Sequence, residues 1–433
     1  MTDTRSYDFL SIAFRFLLTI FLCVTVYNNC RAQNQPENNV VILEHADSLV
    51  GKQVDGEKAR ELFGHVQFRQ GKTVITCDRA LQYLVTNKIS MEGTVQVHDD
   101  SMRMVGKRGM YYSDTKIAEA FDRVQIEESS TFLRADYGKY FTTEKKAYFK
   151  GNVYVEDTSS VVTSDELTYY RSDQHSIATG NVKIVNSHNG LTIFGDHFEN
   201  FKQKQYSKIT GEPKVIQIDT AGTGKRDTLV VTSVFMESFQ DSSERLIATD
   251  SVRITRGGLA AESGSSVFFT KLDSIVLRKS PIVWYSQEVN DENQVSGDSI
   301  FLKLKNRKLQ TAFVEGRGIA ISRADSNYPN RFNQMTGQEI ILHFVESKIT
   351  QINVNMTATS LYFLFDQGKA DGMNKTSGDH ITMTFLEGKI DKISVVTGVE
   401  GQFFPERLVK NHESAYNLDG FNFRENIPGK KKQ

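Results

Sequence analysis

The chain has 433 residues, with 52 basic and 53 acidic side chains and a formal net charge of −1. That balance excludes a global field that would draw it onto nucleic acid or an anionic membrane, so an anionic ligand must be met by local clusters. Apolar residues at 39% describe a folded chain with material for a large core, and only 6 prolines with 10% aromatics suit long regular strands.

In chain order, the first element is a targeting segment. Arg5 precedes an apolar run from Phe9 to Val26 that only Arg15 interrupts, and Cys30-Arg31-Ala32 follows in a polar stretch. The small residues at Cys30 and Ala32 suit cleavage after Ala32, which predicts a signal peptide over 1–32 and an exported, periplasmic protein. The alternative is an uncleaved inner-membrane anchor, with Arg15 snorkelling from Phe9–Tyr27. Of the 3 cysteines only Cys77 then remains, so no internal disulfide is possible and Cys77 reads as a core residue.

A repeat of 29 residues begins next. Val66, Val95, Val124, Val153 and Val182 share that spacing, and Phe68, Val97, Ile126, Val155 and Ile184 follow each by two residues. Glycine stands two residues before most of these valines, at Gly64, Gly93, Gly151 and Gly180, with Asp122 as the exception. Tyr83, Tyr112, Phe141 and Tyr170 form an aromatic column, and Cys77, Gly106, Ala135 and Ser164 a column of small residues. Asp99, Glu128, Asp157 and Asn186 form a polar column where turns are expected. Beyond residue 190 the pattern continues with insertions, to about ten or eleven units.

Within a unit the apolar period is two, so the runs are strands; polar turns such as Thr142–Lys146 and Glu156–Ser160 separate them. The expected fold is all-β and antiparallel, with units stacked to bury their inner faces. If each unit sends its two runs to two facing sheets, ten units make a body roughly 50 Å long. The recurring glycine either bends the strand or merely opens it after a turn.

An Ala/Ser/Gly-Asp step (Ala135-Asp136, Ser164-Asp165, Gly195-Asp196) alternates with a Gly-Asn-Val step about 15 residues later (Gly151-Asn152-Val153, Gly180-Asn181-Val182). This alternation resembles the OstA-like family, which includes the periplasmic lipopolysaccharide-transport bridge proteins, clearly over about 40–215 and more faintly to about 405. The resemblance implies a twisted, open β-jelly-roll, taco-like, with an apolar interior that holds acyl chains. It also implies partners: lipopolysaccharide or lipooligosaccharide, an inner-membrane extraction complex and an outer-membrane insertion barrel reached by edge-strand pairing, and head-to-tail copies of the chain.

Expected boundaries are a signal peptide at 1–32, a regular jelly-roll at 33–218 and a polar insert at 219–228. A second, more divergent jelly-roll at 229–405 and a polar tail at 406–433 follow. In an open trough the columns Val66, Phe68, Val95, Val97, Val124, Ile126, Val153, Val155, Val182 and Ile184 would line the ligand path as well as the core.

No catalytic constellation emerges. The 9 histidines are scattered, the lone mature cysteine excludes a thiolate cluster, and Gly222-Thr223-Gly224-Lys225 lacks the spacing of a phosphate loop. The expectation is a carrier with no enzyme activity, cofactor, metal or nucleic-acid partner. The rival readings are a structural or adhesive β-solenoid with a closed dry core, and an anchored adaptor of the same transport system.

Overall fold

The computed structural model describes residues 40–430, apart from 100–101, 129, 187–189, 220–226, 243, 287–292, 306–307, 347 and 387–388. The expected signal peptide lies outside the described residues, as does most of the polar insert. The described chain forms one sheet of 28 strands, and every pairing is antiparallel. The order is a zigzag: Glu57–Gln70 pairs with Thr73–Tyr83, which pairs with Lys88–His98, and so on through Lys369–Leu386.

Some rungs are broken into two strands that share one partner. Tyr206–Thr210 and Lys214–Asp219 both pair with Leu191–Phe201. Ladder bonds continue from Lys214–Asp219 to Asp227–Thr232, so one sheet runs through both expected jelly-rolls.

Alternation decides the two faces. In Lys88–His98 the side chains of Ile89, Met91, Val95 and Val97 are buried on one face. These inner residues join those of the other strands in one apolar cluster running from Leu62 to Met383. Each strand crosses a crease and contributes to both facing halves. This differs from the expected arrangement, in which the two runs of a unit were divided between two sheets. The reason is the bend within the strand, described below. Each unit therefore adds two strands to both halves, which doubles the expected length to roughly 100 Å along the sheet.

The residues after Pro405 double back across the outer face of the later strands. A short helix, Glu406–Val409, and a turn at Glu413–Tyr416 are held by Arg331, whose guanidinium donates to Glu406 at 2.8 and 2.9 Å and to Glu413 at 3.2 Å. Further along, Trp284 Nε1 donates to the carbonyl of Arg424 at 3.2 Å, and Gln294 bonds Asn422 and Arg424.

Candidate functional site

The crease is built by the recurring glycine. Gly64-His65, Gly151-Asn152 and Gly180-Asn181 each place two successive residues at positive φ (70° and 45°, 78° and 46°, 75° and 48°). At each the ladder slips: Phe63 faces Arg79 and Val66 faces Cys77, so two residues oppose Asp78 alone. This is a β-bulge, and an extra residue at one place in every second strand folds the sheet along a line. Of the two meanings open at the sequence level, the glycine bends the strand; it does not open it. Later kinks fall at Gly211, Asp250, Lys279, Gly316, Met356 and Thr397, so the units lengthen and the period loosens.

The aspartate of the alternating motif sits against the bulge. A Cβ on Gly151 would meet Asp136 Oδ2 at 2.6 Å, and one on Gly180 would overlap Asp165. The carboxylates accept from the residue after the glycine: Asn152 Nδ2 bonds Asp136 at 2.7 Å, Asn181 Nδ2 bonds Asp165 at 2.9 Å, and the Thr94 amide bonds Asp78 at 2.9 Å. The motif is therefore a latch across the crease. In the exceptional rung the charges trade places. Asp122 stands at the bend, and the Arg108 guanidinium, helped by Lys107, holds its carboxyl below the usual range. In a later rung Lys279 occupies the bend at φ 63° and Gly264 replaces the aspartate, where any Cβ would meet Lys279 Cβ at 2.7 Å.

The latch brings the two inner faces together. All ten expected trough residues lie on the inner face. Val66, Phe68, Val95, Val97, Val124, Ile126, Val153 and Val182 are buried, and Val155 and Ile184 are partly exposed. The small column Cys77, Gly106, Ala135 and Ser164 occupies the crease, where a Cβ on Gly106 would already touch Ala120 Cβ at 3.1 Å. Burial pushes the Cys77 thiol up to about 12, which suits an inert core residue.

Opposite the crease the two rims of the fold meet. Gln70 on one rim donates to the Ser113 carbonyl at 3.2 Å and accepts from Tyr111 Oη on the other. Tyr140 Oη donates to Asp99 at 3.1 Å, and Arg171 donates to Tyr140 Oη at 3.2 Å and to Glu128 at 3.0 Å. Gln70, Asp99 and Glu128 follow the 29-residue period, as do Tyr111, Tyr140 and Tyr169. The two columns form a clasp that repeats rung by rung, with partners 41 residues apart at Gln70–Tyr111 and Asp99–Tyr140. Burial pushes the Tyr111 hydroxyl up to about 12 and raises Tyr140 and Tyr169, so all three remain neutral. A half-open pocket of about 800 Å³ lies at this seam, lined by clasp residues and by Lys72, Lys116 and Lys145.

The clasp stops at the next rung. Asp157 bonds within its own hairpin, accepting from the Ser159 and Ser160 amides at 2.8 and 2.7 Å, and the counterpart of Tyr169 in the next rung is Asn200, which has no hydroxyl. There the interior loosens. No residue of Leu191–Phe201 is fully buried. Ile184, Ile193, Phe198, Leu229 and Leu246 are partly exposed at the edge of the core. Further on the rims approach again, where Tyr285 packs edge-on against Phe344 at 5.4 Å.

The clasp is what sequence reasoning missed. The acidic column was visible but belonged to turns on that reading. The aromatic column that stood out was the neighbouring one, which lies on the outer face. There Tyr170, His175, Phe201, Tyr206 and Phe239 stack across strands at 4.2–5.7 Å. The signal for the clasp was a second tyrosine series one residue earlier, whose alternation puts it inside.

A family model described as OstA-like protein matches residues 38–193. A second, described as LptA/(LptD N-terminal domain) LPS transport protein, matches residues 162–308. Between them the two models place residues 38–308 among OstA-like and LPS-transport protein sequences. The two matches overlap at residues 162–193, where the clasp gives way to the looser interior. No curated protein matches this chain.

Proposed function

We propose that this protein shields the acyl chains of lipopolysaccharide or lipooligosaccharide while they cross the periplasm between inner and outer membranes. The observation that carries the reading is the continuous apolar inner face, creased along one side and edged by a polar, lysine-bearing seam along the other. An acyl chain held inside is stabilised by roughly 0.8 kcal/mol per buried CH₂. The glycolipid's anionic head then lies at the seam, near Lys72, Lys116 and Lys145, and no bond need be made or broken.

The two end rungs supply the contacts to partners. Ser48–Val54 pairs with Glu57–Gln70 and leaves its outer edge exposed, with Leu49 and Val50 on it. Glu400–Pro405 pairs with Lys369–Leu386 and carries exposed Phe403. Such edges recruit further strands, which suits an extraction complex at one end, an insertion barrel at the other, or another copy of the chain. Export follows from cleavage after Ala32; a mature N-terminus at Gln33 supports this, and retention of Phe9–Tyr27 replaces it with the anchored form.

The test is purification from cells without detergent, followed by mass spectrometry of bound lipid. Glycolipid should co-purify, and depletion of the protein should leave glycolipid at the inner membrane. A lipid-free protein together with normal surface glycolipid after depletion overturns the reading.

A further inference from the structure

The seam is not uniform, and the difference between its sections points to how a lipid gets in. Over the rungs from Gln70 to Arg171, the interior is filled by the protein's own large side chains. Phe68, Ile75, Ile89, Met91, Met104 and Phe149 are each at most 2% exposed. Above them the rims are tied by Gln70–Tyr111, Tyr140–Asp99 and Arg171–Glu128, with Tyr111 and Tyr140 themselves at most 2% exposed. An acyl chain has no path through this section without parting those bonds.

From the rung of Asp157 onward three things change together. The rim tyrosine is replaced by Asn200, which pairs with Ser176 as Tyr169 pairs with Ala147. At the inner position held by Met91, Ala120 and Phe149, two residues before the bend, the later rungs carry Ala178, Ile209 and Ala248. Several apolar residues here, Val155, Ile184, Ile193, Phe198, Leu229 and Leu246, are partly exposed, while Ile209 and Met236 stay buried. Ala178 and Ala248 leave width where Phe149 fills the earlier rungs, and part-exposed apolar residues gain from being covered.

We infer that acyl chains load sideways, through the seam between Asp157 and Leu246, and that the clasp keeps the rungs before Arg171 shut until a chain is threaded into them. The inference rests on the carrier reading and deepens it, by assigning a loading section and a closed section to one trough. The occupant is a saturated hydrocarbon chain with an anionic head. The chain covers the part-exposed residues, while the head stays at the seam beside Arg171 and Lys145.

The experiment uses the full exported chain and palmitic acid bearing a terminal diazirine. After photolysis, adducts are mapped by mass spectrometry, with unlabelled palmitic acid as competitor. The expected result is competable labelling of peptides carrying Val155, Ile184, Ile193, Phe198, Leu229 and Leu246. Labelling at Val66, Phe68, Val95 and Val97 should stay at background. Tyr140→Phe removes one hydroxyl and Arg171→Gln one charge. Either should raise labelling of the closed rungs from background toward the level of the loading section. Unchanged far-ultraviolet circular dichroism separates this from unfolding.

Competable labelling that begins in the rungs of Val66–Val97, or that is even along the trough in the unaltered protein, overturns the inference and leaves the carrier reading standing. Clasp variants that label as the unaltered protein does overturn the closing role of the clasp. Absence of competable labelling anywhere removes the carrier reading, and this inference with it.

Discussion

Replacing Gly180 by alanine tests the latch that creases the sheet. The residue sits at φ 75°, and its new Cβ would overlap the Asp165 carboxylate. The left-handed backbone costs a residue with a Cβ about 1–2 kcal/mol, and displacing a packed neighbour adds about 1–3 kcal/mol. The single variant should therefore lose about 3 kcal/mol. Asp165→Gly alone removes the Asn181 bond and should cost about 1 kcal/mol. The pair should recover the steric part, because Lys279 already stands at a bend opposite Gly264 in this same sheet. The interaction energy of the cycle is thus favourable by about 1–2 kcal/mol. Urea unfolding gives the free energies, and hydrogen exchange of the amides in Ser160–Tyr170 and His175–Asn186 shows whether the loss is local. Strictly additive single and double variants would refute the steric latch, as would a Gly180→Ala protein with unchanged exchange.

Three further outcomes rest on particular groups. Cys77, buried with its thiol pushed up to about 12, should resist a maleimide in the native protein and react fully in denaturant; rapid native labelling would contradict its place in the crease. Burial alone would raise the Asp157 carboxyl, but the Ser159 and Ser160 amides and hydroxyls outweigh it and lower the value. Its contribution should be complete above the ordinary carboxylate range and fade as pH falls through the lowered folded value; a carboxyl that titrates at or above the ordinary value, followed by carbon-detected NMR, would refute the capping. Arg331→Ala should remove the guanidinium that bridges Glu406 and Glu413, cost about 2 kcal/mol and free the chain after Pro405. Trp284, the single tryptophan, then loses its cover and its bond to Arg424, so its emission should move to the red; an unshifted spectrum would show that the segment is held elsewhere.

The architecture was legible because one physical demand recurs. A strand that must turn through a crease needs the same residues every time, so Gly-Asn-Val and its aspartate print a period of 29 from Val66 to Val182. The inner columns were legible for the same reason, since alternation fixes the face. The clasp was not. Its partners lie on opposite rims, and no strand pairing links Asp99 with Tyr140; only folding about the crease brings them together. Nor could alternation alone tell a bend from a strand start at Gly151, because both place a small residue ahead of a valine. The loosened later period has a plain cause in lengthened strands, such as Lys348–Asp366 and Lys369–Leu386, which reach the outer-face segment after Pro405.

The unbroken zigzag has a consequence for how the molecule comes into being. Each rung, whole or split in two, finds its ladder on the rung made just before it, so none waits for a distant part of the sequence. A chain threaded out of a membrane from its N-terminal end can lay down its rungs in order of emergence, each new hairpin capping the exposed edge of the last. Rim bonds such as Asp99–Tyr140 close soon after, once three more strands are out. The last strand laid down, Glu400–Pro405, has Lys369–Leu386 as its ladder partner among the described residues.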